Sequence, residues 1–169
     1  KDVLKIGFYL GGSGNFEKIY EVLKDLIPKI NLYNKKVQII VIPGLYSKGV
    51  TKIKNLSIKN NLIKVLNPSL NLDVVLSSLD LLISSAGNII YESAYYKIPS
   101  LIFEVSKNQN NKIQYMEKLG HYFVLPLNDM KYSKKISKLI YFMLEKYKRL
   151  KNLQTKKEIQ IDNNGALRI

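Results

Sequence analysis

The stretch Leu81 to Gln109 restricts this chain more than any other. It reads LLISSAGNIIYESAYYKIPSLIFEVSKNQ. An apolar run, Leu81-Leu82-Ile83, stops at a turn of small residues, Ser84-Ser85-Ala86-Gly87. A helical pattern starts at Asn88 and carries Glu92 in its second turn. Pro99 ends it, a second apolar run Leu101-Ile102-Phe103 follows, and Asn108-Gln109 lie just beyond. The order is strand, tight turn, helix, strand, polar loop. Strands that alternate with helices build a parallel sheet covered on both faces. In such a sheet, ligands gather at the carboxyl ends of strands, against helix N-termini.

The rest of the chain repeats the pattern. Leu4 to Leu10 is a first strand that ends at Gly11-Gly12-Ser13-Gly14-Asn15, and Phe16, Ile19, Tyr20, Leu23, Leu26 and Ile27 then recur at helical spacing, with Pro28 near the stop. Val37 to Ile42 is a second strand, residues 45 to 60 carry weak helical character, and Ile63 to Leu66 is a third strand. Leu70 to Leu79 predicts a short helix, with Asn71 as its cap ahead of Asp73. After the strand at 80–83, the helix at 88–97 and the strand at 100–104 come a helix at Lys112 to Leu119, a strand at Tyr122 to Leu125, and one long amphipathic helix at 132–151. Gln154 to Gln160 reads as a linker or a short extension. The expected fold is a Rossmann-like, doubly wound α/β domain with a parallel sheet of about six strands, spanning residues 1–169 as one unit. Right-handed crossovers in the common order set the first and fourth strands side by side, so the Gly11–Gly14 loop and the Ser84–Gly87 turn face one another.

Gly11-Gly12-Ser13-Gly14 lets a backbone approach an anion closely, and a helix N-terminus behind it adds N–H groups and a positive dipole end. The loop lacks the third glycine and the later acid of a dinucleotide fingerprint, and the chain has no GxxxxGK[ST]. A plain strand-to-helix turn is the alternative. Ser85, Ala86, Gly87 and Asn88 form a second such mouth. Glu92 follows Asn88 by four residues, on the same helix face, and side chains lean toward the helix N-terminus. A carboxylate there can accept two hydrogen bonds from a ribose; the alternative is an acid favoured by the helix dipole. Asn108 and Gln109 offer amides to a sugar or phosphate oxygen, or form an ordinary loop capping the next helix. His121, the sole histidine, reads as a surface residue. No metal-ligand cluster is expected, and no cofactor.

The formal net charge is +14, which invites a nucleic-acid reading. The positive charge is nearly all lysine; Arg149 and Arg168 are the only arginines, and arginine is the residue suited to bidentate phosphate and base recognition. No nucleic-acid partner is therefore expected. The densest block, Lys131 to Lys157, alternates with Ile136, Leu139, Ile140, Phe142 and Met143. It reads as an amphipathic helix with a basic outer face, solvated in the plainer reading and in weak contact with an acidic membrane surface in the other. The chain has no cysteine, no signal-peptide pattern at its start and no apolar run long enough to cross a bilayer, which fits a cytoplasmic location.

FYLGGSGN near the start, DLLISSAGNIIYESAYYKIPSLIFEVSKNQNNKIQYMEKLG in the middle and DNNGALRI at the end together resemble the C-terminal domain of GT-B nucleotide-sugar enzymes. The resemblance covers nearly the whole chain. It is strongest to the UDP-sugar hydrolase of pseudaminic acid biosynthesis and its spore-coat polysaccharide relatives, and more distant to the lipid-II-forming N-acetylglucosaminyltransferase. It implies a UDP-sugar substrate, with the diphosphate held by Gly11, Gly12, Ser13, Gly14, Ser85, Ala86, Gly87 and Asn88. It places Glu92 near the ribose, Asn108 in a catalytic position near sugar and diphosphate, and Gln109 beside it. The family's catalytic histidine belongs to a preceding N-terminal domain that this chain lacks, and His121 does not match it. The resemblance thus implies half of an enzyme, a hydrolase or alternatively a glycosyltransferase; a non-catalytic binding module is the remaining alternative.

Overall fold

A computed structural model describes residues 2–68, 71–103, 110–118, 122–125, 133–156, 161–162 and 164. Its strands are β1 (Val3–Tyr9), β2 (Lys36–Ile42), β3 (Ile63–Val65), β4 (Leu81–Ser85), β5 (Ser100–Phe103) and β6 (Tyr122–Leu125). The helices are α1 (Glu17–Asn31), α2 (Val50–Ile58), α3 (Leu72–Ser78), α4 (Ile89–Tyr95), α5 (Asn110–Lys118), α6 (Ser133–Glu145) and α7 (Tyr147–Thr155). All five strand pairings are parallel, in the order β3-β2-β1-β4-β5-β6. This is the doubly wound order expected from the sequence, and β1 and β4 lie side by side with Tyr9 opposite Ser84.

The strands owe their runs of isoleucine, leucine and valine to burial on both faces. Alternate residues divide between two cores. Leu4, Ile6, Phe8, Val37, Ile39, Val41, Leu81 and Ile83 meet α1 and α6 on one face. Ile40, Ile42, Leu82 and Ile102 meet α3, α4 and α5 on the other. Gly7 points to the second face, where a Cβ would stand 2.3 Å from Leu79 Cδ1.

Three expectations change. Helix α1 continues through Pro28 to Asn31. A proline in the last turn removes one ladder bond, but Ile27 and Ile30 are buried, and the N–H groups of Leu32 and Tyr33 close the end on the carbonyls of Lys29 and Ile30. The long basic helix is two helices, with Lys146 (φ −95°, ψ 11°) between them, and α7 runs to Thr155, a short extension past residue 151. At this junction the Tyr33 hydroxyl donates to the Leu144 carbonyl at 3.0 Å, and a side chain inserted at the helix ladder is a recognised source of a bend. One row of bonds still links the two helices through Lys146, whose N–H donates to the Phe142 carbonyl and whose carbonyl accepts from Leu150 N–H. Phe142, read from the sequence as part of the apolar stripe, faces solvent instead.

At the amino edge of the sheet, the buried Asp80 fastens three elements. One carboxylate oxygen accepts from Lys5 N–H at 2.9 Å and the other from the Tyr147 hydroxyl at 2.7 Å. Burial, and then the bond to Asp80, push the Tyr147 hydroxyl well above its ordinary range. Among the described residues, no helix is long and apolar enough to cross a membrane.

Candidate functional site

Both small-residue turns leave the sheet at its carboxyl edge, where β1 and β4 adjoin. Between them lies a cleft of about 310 Å³. Gly11, Gly12 and Ser13 line one side, Ser85, Ala86, Gly87 and Asn88 the other, and Tyr9, Leu10, Leu72, Ile89 and Glu92 complete it. The structure therefore brings together most of the residues expected from sequence. Gly14 is not among the lining residues. A Cβ on it would stand 2.2 Å from Leu10 Cβ, and its carbonyl accepts from Lys48 N–H at 3.0 Å, so it shapes the turn. Asn108, Gln109 and His121 lie outside the described residues.

Glycine has different work at each position. Gly11 has φ +79°, the left-handed region in which a side chain is strained. Gly12 and Gly87 have nothing within 4 Å of a built Cβ, so their bareness leaves open space in the cleft. The Gly11–Gly14 loop is held from behind by residues 44–48. The Tyr46 N–H donates to the Gly12 carbonyl at 2.9 Å, and Gly44 packs directly on the loop's backbone. Sequence reasoning missed this buttress; the signal available was Pro43-Gly44 closing β2.

The two helix mouths differ. At α1, Phe16 N–H is bonded to the Lys48 carbonyl, and Glu17 N–H to Asn15 Oδ1. Those amides are spent inside the protein. At α4, Asn88 makes no side-chain cap, and the amides of Gly87, Asn88 and Ile89 have no partner among the described residues. Donors are thus free on the β4 side of the cleft. For comparison, Asn71 caps α3 through the Asp73 N–H at 3.0 Å, as its sequence position suggested.

Glu92 stands at the rim, exposed on one side. Partial burial, and then repulsion from Asp73, hold its carboxyl above the ordinary range. Burial, and then Glu92, do the same to the Tyr9 hydroxyl. Asp73 in turn accepts a short hydrogen bond from Tyr96, the main cause that pushes that hydroxyl up to about 12. A second cavity, of about 350 Å³, opens beside the first and shares Glu92; Asp73, Tyr91, Tyr95, Tyr96 and Asp162 line it. The roomiest cavity described, about 520 Å³, lies at the opposite edge of the sheet beside Lys5, Lys35 and Lys36 and touches neither turn. Among the described residues, no group of three His, Cys, Asp or Glu could hold a metal ion.

Residues 8–168 match the glycosyltransferase family 28 C-terminal domain. The chain belongs to that family. Comparison with curated protein sequences gives no match. Among solved structures, the family 28 domain is similar to MurG of Acinetobacter baumannii, with a TM-score of 0.67 and 14% identity over 98% of this chain and 48% of that one. A putative UDP-N-acetylglucosamine 2-epimerase from Listeria monocytogenes gives 0.66 and 14% over 99% of this chain and 43% of that one. The C-terminal CMP-Kdo binding domain of WaaA from Acinetobacter baumannii gives 0.59 and 14% over 92% and 89%. At these identities the likeness is one of fold, and it establishes a six-stranded Rossmann-like GT-B half. The chain spans less than half of the MurG and epimerase chains.

Proposed function

We propose that this family 28 domain holds the nucleoside diphosphate of a UDP-sugar, as half of a two-domain enzyme of surface-polysaccharide synthesis in the cytoplasm. The observation that carries this reading is the cleft at the β1–β4 seam. It has bare glycines at Gly12 and Gly87, unspent amides at Gly87 to Ile89, and one carboxylate, Glu92, at its rim. The diphosphate would lie against the amides, and Glu92 would accept from the two ribose hydroxyls. The bond between the anomeric carbon and the diphosphate oxygen would break, and this domain would stabilise the leaving diphosphate by N–H groups fixed before reaction. Asn108 and Gln109 would face the sugar. The base that activates the attacking hydroxyl would belong to the partner half. No cofactor is needed.

Transfer to an acceptor leads over hydrolysis, because the fold neighbours are named as MurG and as epimerases. The hydrolase of pseudaminic acid synthesis rests on sequence resemblance alone. UDP leads over CMP for the same reason, although the WaaA domain is named for CMP-Kdo. The test is to titrate UDP, with CMP as comparator, while following backbone amide shifts. Shifts at Gly12, Gly87 and Asn88 are expected; their absence at saturating UDP sinks the reading. Glu92→Ala should weaken UDP about 5- to 150-fold, the equivalent of roughly 1–3 kcal/mol for lost buried contacts. An unchanged affinity makes Glu92 structural.

A further inference from the structure

We infer that the outer stripe of α6 and α7 docks on an anionic lipid surface. Residues 133–156 hold eight lysines and arginines and one acid, Glu145. One row of the ladder passes through the α6–α7 junction, from Phe142 to Lys146 to Leu150, and keeps these positions in line. Lys138, Phe142, Lys146, Arg149, Leu153 and Lys156 recur at steps of three or four residues, so they share one stripe, and all six are exposed. Phe142 is 52% exposed and Leu153 55%, eleven residues or about three turns apart. Each stands between cations of the same stripe. Opposite the stripe, Ile136, Ile140, Met143 and Leu144 are buried in the domain.

The occupant follows from the chemistry. Stable interfacial helices combine a basic face with apolar side chains that enter the headgroup–acyl boundary. Lysine, a hydrated point charge, suits diffuse attraction to anionic headgroups. Leu153 can neither stack on a base nor hydrogen-bond to a phosphate, so a nucleic acid leaves it unused. The contact leaves the cleft free. Tyr147 and Lys151 anchor α7 at the amino edge of the sheet, on Asp80 and on the carbonyls of Tyr96 and Lys97, whereas the cleft opens at the carboxyl edge.

The 169-residue chain is sedimented with vesicles of phosphatidylcholine alone, and with vesicles that are about one-third phosphatidylglycerol. Binding to the anionic vesicles only, fading as salt rises, is expected. Each cation near the surface contributes about fivefold, so the triple variant K138Q/K146Q/R149Q should bind about a hundredfold more weakly. F142S/L153S should lose about tenfold with the net charge kept. All five positions are exposed, and a thermal melt confirms folding. Failure to bind anionic vesicles at low ionic strength overturns the inference. So does binding that F142S/L153S leaves intact, or RNA that displaces the vesicles equally from both proteins. None of these outcomes bears on UDP binding at the cleft.

Discussion

Substitution of Gly44 by alanine tests the buttress behind the glycine loop. An alanine Cβ there would stand 2.4 Å from Gly12 Cα, 2.5 Å from the Gly12 carbonyl oxygen and 2.6 Å from that of Gly11. Carbon atoms pack best at about 3.5–4 Å. Every obstructing atom is backbone, so no rotamer change relieves the clash, and the two loops must part by about 1 Å. The Tyr46-to-Gly12 bond, now 2.9 Å, would then pass out of hydrogen-bonding range. Overpacking costs about 1–3 kcal/mol and the lost bond about 1 kcal/mol, together roughly 2–4 kcal/mol. For a domain of this size the melting temperature should fall by about 4–16 °C. Urea unfolding followed by circular dichroism measures the loss, with an unchanged denaturant slope as the sign that only stability moved. Gly87→Ala is the matched comparison. It meets nothing within 4 Å, so it should fold as well as the parent, yet its methyl enters the cleft and should weaken UDP. A Gly44→Ala protein within about 0.5 kcal/mol of the parent would refute the packing argument.

Three further outcomes follow from single residues. Lys97 holds φ 55° as the helix α4 ends, so Lys97→Gly should raise stability by about 0.5–1 kcal/mol in a denaturant melt, and a loss would show that the backbone there is relaxed. Tyr147→Phe takes one donor from the buried Asp80 and should cost about 1–3 kcal/mol; a neutral result would mean that the carboxylate finds a replacement. Glu92 holds its proton more tightly when folded than unfolded, so its ionisation lowers stability as pH rises from about 4.5 through the raised folded value, and the penalty vanishes below that window. Glu92→Gln should flatten this decline above about pH 4.5, and equal slopes for both proteins would contradict the shift.

The sheet was legible because both-face burial writes each strand as a continuous apolar run, and each turn as glycine or serine between runs. With right-handed crossovers in the common order, these runs set β1 and β4 side by side, as the structure has them. Helix ends were harder to read. Pro28 announces a stop, but the buried Ile30 beyond it keeps the chain helical. The α6–α7 junction takes a hydrogen bond from Tyr33, 111 residues from Leu144, and no local pattern records it. Phe142 reads as core by type and periodicity yet faces water, since hydrophobic composition alone does not say which stripe finds a partner. In the cleft, Gly11, Gly12, Gly87 and Glu92 were visible as bare turns and a well-spaced acid. The difference between the two helix mouths was not, because Lys48, on the loop between β2 and α2, takes the Phe16 amide while Asn15 takes that of Glu17.

The seam between β1 and β4 joins residues some 75 positions apart, as Ile6 opposite Leu81 shows. The strands on either side of it are linked by shorter crossovers, so each half-sheet can gather with less loop-closure entropy, and the seam closes at greater cost. The cleft exists only once that closure is complete. A nucleotide bound there would recognise the finished sheet and neither of its halves. Its stabilisation would then appear in the rate of unfolding, which it slows, while the rate of folding stays that of the empty chain.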